Sequence, residues 1–174
     1  WMQLYMMKER SRSIELVHRA KAAGYDALHI TVDTPVAGAR HRDRRNGMQF
    51  PPRLTPTALL DVLPKVEWWW SFLSHEPIEF AAMSSWDGTV GQLLDTMFDP
   101  SVDDEALAEV RAAWDGPIVV KGVQSLADAK RLASLGVDAI TLSNHGGRQL
   151  DRAPVPFLLL PEVAREVGQD VEVH

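Results

Sequence analysis

The chain has 174 residues, 45% of them hydrophobic and 24% charged, which is enough apolar material for one buried core and excludes a disordered tail. A formal net charge of -6 lacks the clustered Lys and Arg that phosphate neutralisation requires, so no nucleic-acid partner is expected. Without cysteine there is no disulfide framework or thiolate metal site; the six histidines show no metal-ligand spacing, and no apolar run reaches the roughly 18 residues of a membrane span, so a cytoplasmic setting without metal is expected.

Gln3 and Tyr5 close a first short strand. From Ser11 to Ala23 the residues Ile14, Val17, Ala20 and Ala23 recur near helical period, and Gly24 stands where a left-handed terminal residue would end the helix. Ala27 to Thr31 is an apolar run that reads as a buried strand, followed by Asp33 and broken by Pro35 and Gly38. A dense basic loop follows, with Arg40, Arg42, Arg44 and Arg45, read for the most part as solvated surface and in part as an anion clamp. The stretch at about 47–99 breaks the rhythm. It is rich in Pro, holds Trp68, Trp69, Trp70, Phe72, Leu73, Ile78, Phe80 and Trp86, and is expected to be irregular, being too long for an ordinary strand-to-helix loop.

Regular alternation then resumes. Ser101 is expected to cap a helix through Trp114, and Asp115-Gly116-Pro117 turns the chain into a strand at Ile118–Lys121. Ser125 caps a helix through Leu135, Gly136 ends it, and Ala139–Ser143 forms the next strand. A last helix covers Val155–Val167, with Pro156 in its first turn, before a strand opens at Val171–His174. Strands joined by single helices imply a parallel sheet, and nearly all-apolar strands ending in polar residues imply a barrel. The expected fold is thus α/β, an incomplete (β/α)8 TIM barrel, since such barrels need about 250 residues. A first residue other than Met and a last segment that opens a strand both read as cut ends of one longer domain.

In a (β/α)8 barrel the chemistry sits at the carboxyl ends of the strands, where Asp33, Lys121, Ser143 and His145 fall. A lone strand-end histidine is ordinarily a hydrogen-bonded loop residue. Beside the planar donor fork of Arg148, the cation Lys121 and the carboxylate Asp33, His145 reads instead as a general base, with Arg148 gripping a carboxylate and two glycines between them allowing close backbone approach. Lys121 has a structural salt bridge as its bland alternative, and Asp33 a loop cap; its active role would be to orient His145. Gln3 and Tyr5 are either buried hydrogen-bonding residues or contacts to a ligand.

Taken together, Gln3-Leu4-Tyr5, Thr31-Val32-Asp33-Thr34-Pro35, Lys121-Gly122 and Ser143-Asn144-His145-Gly146-Gly147-Arg148-Gln149-Leu150-Asp151 resemble the FMN-dependent 2-hydroxy-acid dehydrogenases and oxidases, a family that includes glycolate oxidase, flavocytochrome lactate dehydrogenase and mandelate dehydrogenase. The resemblance spans nearly the whole chain, corresponding to about strands 3 to 6 and the start of strand 7. It implies FMN as cofactor, contacted by Gln3, Thr31, Lys121 and Ser143. It further implies His145 as base, Asp33 as its orienting partner, Arg148 as ligand of the substrate carboxylate, Arg40 as a second arginine near the substrate, and Tyr5 as a donor to the substrate hydroxyl or carboxylate.

The flanking text, Pro35-Val36-Ala37-Gly38, Gly88-Thr89-Val90-Gly91 and Asp151-Arg152-Ala153-Pro154-Val155-Pro156, resembles bacterial respiratory L-lactate dehydrogenases. This implies L-lactate as substrate, a quinone or other acceptor, and a homo-oligomer. In such members the insert is associated with the inner face of the cell membrane, so the Trp68–Trp86 segment is read as a surface anchor, with an active-site lid or a subunit contact as equal physical alternatives. The competing functional readings are an oxygen-using oxidase, a relative acting on a modified peptide, and a truncated, non-catalytic barrel fragment. The family's phosphate-binding segments would lie beyond His174, so the isolated chain is expected to bind FMN poorly and to be inactive alone.

Overall fold

A computed structural model describes residues 1–36, 38, 41–47, 55–76 and 99–174. The chain separates into two compact units, one formed by Trp1–Ala39 with Leu94–His174 and the other by Arg40–Leu93.

The first unit is a five-stranded parallel sheet in sequence order. Its strands are β1 (Met2–Tyr5), β2 (Leu28–Thr31), β3 (Ile118–Val123), β4 (Ala139–Leu142) and β5 (Glu172–Val173). An unbroken β1-to-β5 order with helical returns is the arrangement of consecutive strands of a (β/α)8 barrel. Leu4, Leu28, Ile30, Ile118, Val120 and Ile140 alternate onto one face and are each at most 2% exposed. Removing a side chain of this size from water contributes about 2 kcal/mol. They meet α1 (Arg10–Ala22), α5 (Asp104–Ala113), α6 (Leu126–Ser134) and α7 (Pro156–Val167), which bury Val17, Ala20, Val110, Ala129, Val163 and Val167.

The opposite face differs from an all-apolar expectation. The register sets Tyr5, Thr31, Lys121 and Thr141 in one row, and Gln3, His29, Val119 and Ala139 in the row below it. Parallel strands need apolar residues where helices cover them, and among the described residues helices cover one face, so the other is free to carry polar side chains.

Local chemistry explains where the elements begin and end. The Ser125 hydroxyl accepts from the Asp128 N–H at 3.0 Å, as the sequence implied for α6, and Gly136 follows in a left-handed conformation at φ +76°. Ser101 does not cap α5. Its N–H and hydroxyl both donate to Asp99 Oδ1, at 2.8 and 2.6 Å, and the cap is Asp103, which accepts from the Ala106 N–H at 3.0 Å. A carboxylate there also suits the positive end of the helix dipole, and burial of Asp99 leaves it in need of the donors Ser101 supplies. β3 runs on past Lys121, because Gly122 at φ +106° lets the register shift between Lys121 and Val123.

The second unit contains α2 (His41–Arg45), α3 (Pro56–Val62) and α4 (Val66–Ser74). The stretch read as irregular therefore holds two helices among its described residues. Pro56 opens α3 at a position that needs no donor, and Trp69 Nε1 donates to the Val62 carbonyl at 3.1 Å, tying α4 back to the end of α3. Trp68 lies edge-on to Trp69 and stacks on Phe72, each at 5.1 Å between centroids. No residue of α4 is buried, and Trp70 and Phe72 are 75% and 64% exposed.

Candidate active site

The site begins where β2 and β4 end. Asp33, two residues past β2, is buried with its side chain 0% exposed, and its Oδ1 lies 3.0 Å from His145 Nδ1. The second carboxylate oxygen accepts from the Ser143 hydroxyl at 3.3 Å, and that same hydroxyl accepts from the His145 N–H at 3.1 Å. A carboxylate has only acceptors to offer, so Nδ1 carries the hydrogen and Nε2 is left as the basic nitrogen. Asp33 thus fixes both the ring orientation and the tautomer of His145, which is 24% exposed.

Two glycines and an asparagine shape the loop. His145, Gly146 and Gly147 stand at φ +56°, +67° and +69°. Asn144 braces this left-handed run: its Oδ1 accepts from the Gly147 N–H at 3.2 Å, and its Nδ2 donates to the Pro154 carbonyl at 3.1 Å. A side chain added at Gly146 or Gly147 would meet nothing within 4 Å. No described residue approaches these glycines closely, and within the chain they serve backbone conformation. Close approach occurs instead at Gly122, where a Cβ would lie 2.6 Å from Asp33 Cβ, and at Gly38, where it would lie 2.7 Å from the Arg148 carbonyl oxygen. The absence of a side chain at residue 122 is what allows Asp33 to sit against β3.

Lys121 enters into no ion pair with any described residue, so the structural salt bridge is set aside; its cross-strand neighbours are Thr31 and Thr141. The Gln3 amide donates to Thr31 Oγ1 at 2.9 Å and to the Tyr5 hydroxyl at 3.1 Å, joining three of the expected contacts into one network. Burial, reinforced by the negative charge of Asp33, raises the Tyr5 phenol above its usual 10.0, against the opposing effect of the Gln3 hydrogen bond. Tyr5 is thereby kept as a neutral donor. Arg148 is exposed on the loop after His145 and forms no ion pair with a described residue. Arg40 lies outside the described residues, as do Ile78, Phe80 and Trp86.

His29 and Thr141 belong to the same face and were not singled out in the sequence. His29 Nε2 lies 3.4 Å from Thr141 Oγ1. The signal was present, since a histidine two residues before Thr31 in an otherwise apolar strand shares its face. A cavity of about 240 Å3 lined by Met6, Ile30, Leu107, Val120 and Leu132 lies on the helix-covered face, away from this cluster.

The sequence matches the profile of the FMN-dependent dehydrogenase family over residues 1–174. A Mycobacterium tuberculosis protein provisionally named an L-lactate dehydrogenase is 55% identical across 99% of this chain and 42% of its own length. An L-lactate dehydrogenase of Vibrio cholerae is 37% identical across 99% of this chain and 47% of its own. Among solved structures, an (S)-mandelate dehydrogenase described as a monotopic membrane protein superposes with a TM-score of 0.87 at 32% identity, covering 99% of this chain and 47% of that one. A mandelate oxidase superposes at 0.72 with 34% identity, over 99% and 42%. The chain spans less than half the length of these relatives.

Proposed function

Because the chain belongs to the FMN-dependent dehydrogenase family, we propose that it carries the proton-transfer and substrate-binding part of an enzyme that oxidises an L-2-hydroxy acid, with L-lactate as the substrate. The observation that carries this reading is the 3.0 Å pair between the buried Asp33 carboxylate and His145, which leaves Nε2 as a base on the loop that also carries Arg148.

The polar face is chemically suited to an isoalloxazine ring. It offers an ammonium at Lys121 without a counter-ion among the described residues, an amide at Gln3, and hydroxyls at Thr31 and Ser143. These four residues would hold FMN, which supplies a two-electron acceptor when bound. Lys121 would place positive charge where negative charge develops on reduction. His145 Nε2 removes the proton of the substrate, and Asp33 stabilises the imidazolium so formed. Arg148 binds the substrate carboxylate through paired donors, Arg40 is assigned on sequence alone as a second arginine for the substrate, and Tyr5 donates a hydrogen bond to the substrate oxygen.

The test is anaerobic mixing of the FMN-loaded enzyme with L-lactate, glycolate and mandelate. Bleaching of the flavin by L-lactate supports the assignment; a flavin that stays yellow with all three overturns it. Electrons then pass to a quinone, in an oligomeric enzyme held peripherally at a membrane. What favours the membrane reading is α4, which displays Trp68, Trp70, Phe72 and Leu73 with no residue buried. No helix among the described residues is long and apolar enough to cross a bilayer. Faster reoxidation of the reduced enzyme by quinone than by oxygen would support the acceptor.

A further inference from the structure

The polar face contains an ionisable side chain within the central strands for which the proposed chemistry has no use. His29 stands on β2 in the row below Thr31, yet its Nε2 lies 3.4 Å from the hydroxyl of Thr141, which is on β4. Between those strands runs β3. On this face β3 presents Val119 in register with His29 and Lys121 in register with Thr141, so the link from β2 to β4 must pass over β3 between them. The imidazole therefore occupies the space into which the long Lys121 side chain would otherwise fold back.

We infer that His29 is a positioning residue for Lys121: tied across the sheet to Thr141, its ring forms a floor beneath the lysine and holds the ammonium toward the carboxyl ends of the strands. The inference rests on the reading of Lys121 as the cation that faces FMN. An aliphatic side chain could fill the same volume, but it has no directional tie and would leave the Thr141 hydroxyl without this partner. The Trp1 ring packs edge-on against His29 at 6.2 Å between centroids, limiting its freedom from the β1 side.

The electrostatics agree with the geometry. Burial, followed by the positive charges of Lys121 and His174, lowers the pKa of His29 from 6.5. The ring is consequently neutral near pH 7 and can pack beneath an ammonium without repelling it. Gln3, its neighbour on β1, is uncharged, so Lys121 and His174 are the charged partners that act on it.

A lysine held in place stabilises added negative charge on the flavin better than one that samples many rotamers, because the donor need not be ordered when the charge appears. The test uses the FMN-loaded holoenzyme that carries this chain, with two readouts independent of turnover: the midpoint potential of the flavin and its affinity for sulfite, an anion whose addition leaves negative charge on the ring. His29→Ala should weaken sulfite binding about tenfold and make the potential more negative. His29→Gln, which can still reach Thr141, should recover most of that loss. Thr141→Val should resemble His29→Ala and carries the test should the alanine variant fail to accumulate. In a Lys121→Met background, His29→Ala should add nothing further.

His29→Ala or Thr141→Val variants that melt earlier but keep the parent's potential and sulfite affinity would reduce His29 to a packing residue and overturn the inference. So would effects of His29→Ala and Lys121→Met that simply add. An unchanged sulfite affinity in Lys121→Met alone overturns the flavin-facing reading of the lysine, and is thereby distinguishable from a failure of His29.

Discussion

Asp33→Asn isolates the charge of the orienting residue from its shape. Asparagine keeps the volume that fits against Gly122 and can still accept from His145 Nδ1 through its carbonyl oxygen, so the tautomer with a basic Nε2 survives. What is lost is the attraction between a carboxylate and the imidazolium that forms as the base takes its proton. At the observed 3.0 Å and an effective dielectric of about 20, that attraction is about 5 kcal/mol. Solvent reaches His145, which is 24% exposed, and reduces the useful part to about half. At one factor of ten for each 1.4 kcal/mol or so, flavin reduction by L-lactate should slow roughly a hundredfold. Anaerobic stopped-flow reduction is the assay, with FMN content and substrate affinity measured separately; both should stay within about threefold of the parent, since the interaction is made in the transition state. A reduction rate within threefold of the parent, at full FMN content, would refute the electrostatic role of Asp33.

Gly122→Ala should cost about 3 kcal/mol or more by chemical denaturation, because it combines a φ of +106° with a Cβ 2.6 Å from that of Asp33. A loss below about 1 kcal/mol would mean that β3 relaxes away from Asp33. For Tyr5, whose folded pKa lies above 10.0, the neutral phenol contributes stability that is intact below that value and is lost as pH rises through the higher folded one. A spectrophotometric alkaline titration should therefore show a late phase that Tyr5→Phe removes. Asp138 is held below 3.8: burial pushes its carboxyl up, but the Ile118 N–H and Arg111 together outweigh that effect. Its contribution is present above 3.8 and is lost as pH falls toward and through the lower folded value, so Asp138→Asn should be less stable near neutrality and less sensitive to acid in that window. If α4 enters a lipid interface through its aromatic side chains, Trp70→Glu combined with Phe72→Glu should abolish sedimentation with phosphatidylcholine vesicles, and added salt should leave the parent's binding unchanged.

The sheet was legible because its rules are local. Apolar runs of four to six residues separated by helical periodicity identify parallel strands, and the glycine and serine at the ends of α6 state their roles through backbone conformation and a single hydrogen bond. The α5 cap was misread because two residues with the right chemistry, Ser101 and Asp103, lie two apart, and only the buried Asp99 decides which one is free to cap. The two helices in the insert were missed for a related reason. In α4 the polar residues Glu67, Ser71 and Ser74 do share one side, but the consecutive Trp68, Trp69 and Trp70 obscure that period in a Pro-rich stretch, and nothing in α4 is buried.

The candidate site divides along the same line. His145, Asp33 and Ser143 could be picked out by residue type and strand-end position, but their order in space could not: residues 112 positions apart meet at 3.0 Å only because β2 and β4 both flank β3. Gly122 illustrates how that meeting is made possible. In sequence it is the residue after the lysine, whereas in the fold it is the gap in β3 through which Asp33 reaches the histidine, at a φ that most side chains avoid. His29 is the converse case. Its hydrogen-bonding partner is 112 residues away on β4, beyond any periodicity in the chain, and its place beneath Lys121 follows from strand order alone. Residues that touch the reacting atoms are recognisable by their own chemistry. Those that hold them in place are identified by the strand they must cross or the neighbour they must make room for, and such relations exist only once the sheet has formed.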